Sequence, residues 1–181
     1  MTVHGGQAAS PWVLRWASLI GCGSRVLDLA CGHGRHSRLL AGQGALVTAL
    51  DRDRAALDGL ADVKGVTTLA ADVESGPWPF AAGAFDAVVV TNYLHRPLYQ
   101  PLLAVVADGG VLIYETFMAG NEAYGRPSNP EFLLRPGELP EVLGPSWQVV
   151  AFEQGLIEGA NPAVVQRICA VKGGGGVTRL A

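Results

Sequence analysis

Asp28, Gly32, Gly34 and Asp51 are the residues whose types and spacing could do chemistry together. Residues 25–30, apolar after Arg25 except for Asp28, read as a buried strand, Gly32 and Gly34 follow at tight-turn spacing, and residues 35–41 have the pattern of a helix. Such a strand, glycine turn and helix let backbone approach a nucleotide where a Cβ would clash. A second apolar run, Ala45-Leu-Val-Thr-Ala-Leu50, ends at Asp51, 23 residues after Asp28, where a ribose-binding acid belongs. Its carboxylate offers two acceptor oxygens to paired hydroxyl donors. An Asp between a strand and a helix also caps turns and helices, which is the ordinary reading of Asp51 or Asp72 taken alone.

The glycines also bear on the kind of nucleotide. A dinucleotide fingerprint needs G-x-G-x-x-G, whereas this chain has Gly32-x-Gly34-x-x-Ser37 with Asp28 four residues before the first glycine. A carboxylate beside a pyrophosphate in a partly dry site is repulsive, so the turn suits a ligand with cationic groups. S-adenosylmethionine, with an ammonium and a sulfonium, is such a ligand.

Asp28 through Gly34 resembles the first motif of the class I S-adenosylmethionine-dependent methyltransferases, an apolar strand followed by Asp/Glu-x-x-x-Gly-x-Gly. Residues 76–95, with Pro79-Phe80, Phe85-Asp86, a valine run and Leu94-His95, are similar to that family's fourth-strand region. Gly109-Gly-Val-Leu-Ile-Tyr-Glu115 is similar to its fifth strand and Leu69-Ala-Ala-Asp72 to the end of its third. The short build looks most like the methyltransferase type 11 and tellurite-resistance-like groups. The resemblance implies a single-domain α/β, Rossmann-like, doubly wound and mostly parallel seven-stranded sheet, order 3-2-1-4-5-7-6, last strand antiparallel, with helices on both faces.

It also implies roles. Asp28 and the backbone at Ala30, Gly32 and Gly34 would hold the methionine end of the cofactor, and Asp51 the ribose. Asp72, with the Val73 amide, would hold the adenine, while Thr91 and Asn92 would border the amino-acid moiety.

Composition is consistent with one globular domain. A chain of 181 residues buries a core without help from metal or disulfide. Its three cysteines, Cys22, Cys31 and Cys169, lack metal-ligand spacing, and an odd number argues against a secreted disulfide framework. No signal peptide or membrane-length apolar run stands out, so a cytoplasmic location is expected. A net charge of −3 with two lysines disfavours a nucleic-acid partner.

The elements that must position these residues follow from periodicity. Ser10-Pro11 opens an N-terminal helix running to residue 20. Residues 52–61 make a second helix beyond 35–41, 66–70 a third strand and 97–106 a helix. Pro77, Pro79 and Gly83 argue against a full helix between the third and fourth strands. Residues 117–136 read as a functional or mobile loop and 135–143 as a short helix. Strands at 147–152 and 163–171 follow, making an antiparallel edge. The domain is expected over 1–172 and a flexible glycine-rich tail over 173–181. Trp12, Trp16 and Phe132 are apolar residues left for a site cover or a dimer contact, so a monomer or homodimer is expected.

The expected activity is in-line methyl transfer to a small soluble acceptor, leaving S-adenosylhomocysteine, with no metal. Alignment of the nucleophile alone supplies roughly 7–11 kcal/mol in such reactions. His95 is the candidate base and Tyr93 a second catalytic candidate, both beyond the fourth strand. A structural or capping role is the plainer reading of His95. Tyr114, Glu115, Asn121, Tyr124 and Arg126 are candidates for acceptor binding, with an Arg126–Glu122 surface ion pair as the alternative for Arg126. Rival readings are an inactive cofactor-binding regulatory module, a nicotinamide-dependent oxidoreductase, and an RNA methyltransferase whose partner subunit supplies the basic surface.

Overall fold

The computed structural model describes residues 8–173, so the first seven residues, and the expected tail from residue 174 onward, lie outside the described residues. Alternating strand and helix produce one seven-stranded sheet of order β3-β2-β1-β4-β5-β7-β6. Strands β1 (Arg25–Leu29), β2 (Leu46–Asp51), β3 (Val66–Ala70), β4 (Phe85–Thr91) and β5 (Val106–Phe117) run parallel. β6 (Trp147–Ile157) and β7 (Ala163–Lys172) form a hairpin, and β7 pairs antiparallel with β5.

The two-residue period of the strands sorts side chains into two cores. Leu27, Leu29, Val88, Val90, Leu112 and Tyr114 face α4 (Tyr99–Val105) and α5 (Glu138–Val142). Val26, Val47, Val89 and Ile113 face α1 (Pro11–Trp16) and α2 (Arg35–Gly42). Near α2, α3 (Arg54–Asp58) covers Cys31 and Ala49 through Leu57, followed by Leu60.

Several elements differ from the sequence expectation. The Asp53 carboxylate accepts from the amides of Ala55 and Ala56, so α3 begins at Arg54 and leaves Arg52 free for the site. α1 is followed by a 3-10 turn, Ala17–Leu19, and α4 is preceded by another, Arg96–Leu98. β5 starts directly after α4, because its register with β4 jumps from Phe85↔Val106 to Ala87↔Val111 and a bulge absorbs the residues between. As expected, no helix spans β3 to β4. Trp78, Phe80 and Phe85 cover that part of the sheet instead, stacked edge to face with centroids 5.5 and 4.9 Å apart.

Trp12 and Trp16 are not surface residues. They stand edge to face at 5.7 Å and are buried against the sheet, where the Trp12 indole N–H donates to the Ile168 carbonyl. No described helix is long and apolar enough to cross a membrane.

Candidate functional site

β1 has β2 on one side and β4 on the other, so the chain leaves the sheet in opposite directions at neighbouring strand ends. Such a switch point opens a crevice at the carboxyl ends of the strands. A cleft of about 400 Å³ lies there. Ala30 leaves β1 and Asn92 leaves β4 with left-handed backbone, φ 54° at each, and both line the cleft. Left-handed non-glycine residues are strained and cluster at ligand sites.

Asp51, at the end of β2, bridges two segments. One carboxylate oxygen accepts from the Gly32 amide at 2.8 Å and the other from the Asp53 amide at 2.9 Å, while the residue lines the cleft. Each oxygen keeps a further lone pair. Asp72 and Val73 line the same side. The Asp72 carboxylate also accepts from the Ser75 hydroxyl and the amides of Glu74 and Ser75, which hold it below the usual carboxylate range. The capping reading and the cleft position therefore coexist in both acids.

Gly32 and Gly34 are both left-handed. The expected ligand approach does not explain Gly34, because its Cβ would strike the Leu60 side chain, so it is a packing glycine between the turn and the segment after α3. Around a Gly32 Cβ there is open space.

Asp28 lies behind the turn rather than in the cleft wall, buried, with its carboxylate accepting the Ser37 hydroxyl at 2.6 Å. Burial raises its pKa to about 6 against the opposing Ser37 bonds. Beside it is a residue the sequence reading missed. His36 is buried, accepts the Ser10 amide at Nε2 (3.0 Å) and lies 3.3 Å through Nδ1 from the Thr91 hydroxyl. Burial, then Arg35, lowers its pKa to about 4, so the ring is a neutral acceptor. Its spacing of four from Leu40, itself buried on α2, was the available signal.

Glu115 belongs to this interior network. It accepts the Ser10 hydroxyl at 2.7 Å and pairs with Arg167 at 3.3 Å, and it is not part of the cleft wall. Thr91 contacts His36 beneath the cleft, whereas Asn92, Tyr93 and Leu94 line it. Tyr114 is buried and donates to the Tyr93 carbonyl. The half-buried His95 is not among the lining residues. Cys31 packs against Ala49, Leu57 and Leu60, and burial pushes its thiol pKa up.

The 117–136 segment contributes differently from expectation. Asn121 is buried and structural: its side chain donates to the Pro127 carbonyl and accepts the Val164 amide. Tyr124 and Arg126 are exposed and outside the cleft wall, and Arg126 forms no ion pair with Glu122 among the described residues. The wall instead contains Phe117, Pro127 and Phe132. The segment is anchored by a parallel bridge between Met118 and Leu134. Arg96 donates to the carbonyls of Glu131 and Leu133, which flank Phe132, each at 2.9 Å. Its guanidinium also forks onto buried Glu138 at 2.7 and 2.9 Å. Burial would raise the Glu138 pKa, but Arg96, the Arg135 amide and the Tyr99 hydroxyl draw it down to about 2.

Among the residues lining the cleft, Asp51, Asp72 and Glu74 are acids and Arg52 is the single cation. This excess of carboxylate suits a ligand carrying positive charge and opposes a pyrophosphate.

Residues 26–110 match the family profile described as a methyltransferase domain. No curated protein sequence matches the chain. Among solved structures, TehB from Haemophilus influenzae superposes with a TM-score of 0.78 at 21% identity over 93% of this chain. This chain covers 64% of that TehB chain's length. A SAM-dependent methyltransferase from Methanosarcina mazei gives a TM-score of 0.69 at 16% identity, over 92% of this chain and 99% of its own. The N-methyltransferase NodS from Bradyrhizobium japonicum gives 0.64 at 17% identity, over 88% and 90%. At these identities the structures speak for a shared fold.

Proposed function

We infer, from a chain whose residues 26–110 match the methyltransferase domain profile, that the cleft holds S-adenosylmethionine and that its methyl group passes to a small soluble acceptor. The observation that carries this reading is the acidic cleft at the switch point, three carboxylates against one guanidinium, with Asp51 tied to the glycine turn.

Asp51 takes the ribose hydroxyls on its remaining lone pairs. Asp72 accepts from the adenine amino group with the Val73 amide beside it, and the strained backbone at Ala30 and Asn92 turns polar main chain toward the amino-acid moiety. Asp28 acts from beneath, through Ser37 and the turn it supports. The cofactor, when bound, supplies a methyl carbon already activated by its sulfonium. What the chain adds is alignment and exclusion of water by the apolar wall of Phe117, Pro127 and Phe132. The side chain of His95, outside the lining residues, is not needed for an acceptor that attacks without losing a proton.

Calorimetric titration with S-adenosylmethionine, S-adenosylhomocysteine and NAD tests the reading. Binding of the two sulfur compounds alone is expected, weakened about tenfold or more in Asp51→Ala, the order of lost charge-assisted hydrogen bonds. Binding of NAD in their place would overturn it. Labelled methyl groups that reach no compound of a broad acceptor panel, despite tight cofactor binding, would reduce the protein to a binding module.

A further inference from the structure

The charged and the apolar residues of the cleft belong to different strand ends. Asp51, Arg52, Asp72 and Glu74 end or follow β2 and β3, whereas Phe117 closes β5 and shares its part of the wall with Pro127 and Phe132. The sheet order sets β3 and β5 four strand spacings of about 4.8 Å apart, about 19 Å in all. The acids take the adenosine half in the reading above, and Ala30 and Asn92, beyond β1 and β4, the amino-acid moiety. That leaves the β5 end for the molecule that meets the methyl carbon. Phe132 is 53% exposed, and a lone exposed apolar ring is ordinary. This one is part of a cleft wall, and its backbone is held. Arg96 donates to the carbonyls on either side of it, its own amide donates to the Asn129 carbonyl at 2.9 Å, and the Leu134 amide donates to the Phe117 carbonyl at 3.0 Å. An aromatic surface fixed before binding loses little conformational entropy when a ligand covers it.

We propose that Phe117, Pro127 and Phe132 form the acceptor subsite, with Phe132 as its specificity-determining contact, and that the subsite takes an uncharged acceptor with an apolar body. The proposal rests on the S-adenosylmethionine reading above. A charged group set against these three side chains would give up its hydration without gaining a partner from them.

The test uses full-length protein and amine analogues of the cofactor. In these a nitrogen replaces the sulfur and carries the adenosyl group, the aminobutyrate chain and, in the place of the transferred methyl, a third group that is methyl, benzyl or 4-carboxybenzyl. Calorimetry should show the benzyl analogue binding about tenfold tighter than the methyl one, the order of burying about 55 Å² of apolar surface. The 4-carboxybenzyl analogue should bind no tighter than the methyl one. Phe132→Ala should erase most of the benzyl gain and leave affinity for the methyl analogue unchanged, while Phe132→Leu keeps part of the gain. A benzyl analogue that gains nothing, or that keeps its gain in Phe132→Ala, overturns the proposal. Equal weakening of the methyl and benzyl analogues in Phe132→Ala also overturns it, because the ring would then serve the cofactor rather than the acceptor. A 4-carboxybenzyl analogue as tight as the benzyl one overturns the acceptor class. Wild-type protein that binds neither the methyl analogue nor S-adenosylhomocysteine would sink the cofactor reading itself, a failure distinct from the others.

Discussion

Gly32 and Gly34 look equivalent in sequence, yet the structure holds them by different constraints. At Gly32 only the left-handed backbone demands glycine, whereas at Gly34 a Cβ would also strike Leu60. Gly32→Ala should therefore cost about 1–2 kcal/mol of unfolding free energy, the strain of a left-handed residue. Gly34→Ala should cost more, about 2–4 kcal/mol, because overpacking adds to that strain. Urea unfolding of the two variants gives the comparison, and equal losses would refute the packing role of Gly34. The acids at this scale were readable by position, but their bonds were not. That Asp51 clasps the Gly32 amide and Asp72 the Ser75 hydroxyl depends on where neighbouring loops end.

At the scale of elements, the segment after β5 becomes a wall of the cleft because α4's entry holds it. Arg96 bonds both carbonyls flanking Phe132 while its charge is matched by buried Glu138. Arg96→Ala would take the nearer guanidinium from buried Glu138 and leave it Arg135 at 3.5 Å and the Tyr99 hydroxyl, so the loss should fall below the about 3–5 kcal/mol of a buried charge stripped of its partner. Protease cleavage within 126–135 should rise with it. A variant as stable and as resistant as the wild type would show that other bonds hold the wall. Residues 117–136 read as a loop from their glycines and prolines, correctly as far as local preference goes. Their tether was hidden because Arg96 lies 35 residues before Glu131 and no local pattern joins them. The start of α3 was hidden for a smaller reason. Asp53 satisfies the Ala55 and Ala56 amides, which have no acceptor within the helix, and one capping residue moves the boundary past Arg52.

For the molecule as a whole, burial of Asp28 and His36 behind the glycine turn makes stability respond to pH in opposing ways. His36, lowered to about 4, is neutral when folded, so its contribution is present above the unfolded value near 6.5 and is lost as pH falls toward 4. Asp28, raised to about 6, binds its proton earlier in the folded state, so stability rises as pH falls from about 6 toward 4. These slopes, each about 1.4 kcal/mol per pH unit at most, offset one another across that window. Below about 4.5, Glu138, lowered to about 2, loses its contribution without a counterweight. The expected profile is nearly flat from about pH 6 to 4.5 and falls below. Asp28→Asn should tilt the flat part downward toward acid, as followed by urea midpoints across pH. A flat profile in that variant would refute the opposition.

The sequence by itself determined the α/β class, the strand order through its resemblance, and the acid–glycine–acid framework at the carboxyl ends of β1 and β2. Those features rest on short-range periodicity and on residue types, such as Asp28, Gly32 and Asp51, whose spacing within one strand–helix–strand unit is set by local geometry. Only the tertiary structure decided that Asp28 and Glu115 sit behind the cleft and that Trp12 and Trp16 are core residues. It alone put Phe132 in the wall and set Tyr93 beside Glu74. Each of these depends on contacts between segments far apart in the chain, such as Ser10 with His36 and Arg96 with Glu138, and pairing at that distance leaves no periodic trace in either segment.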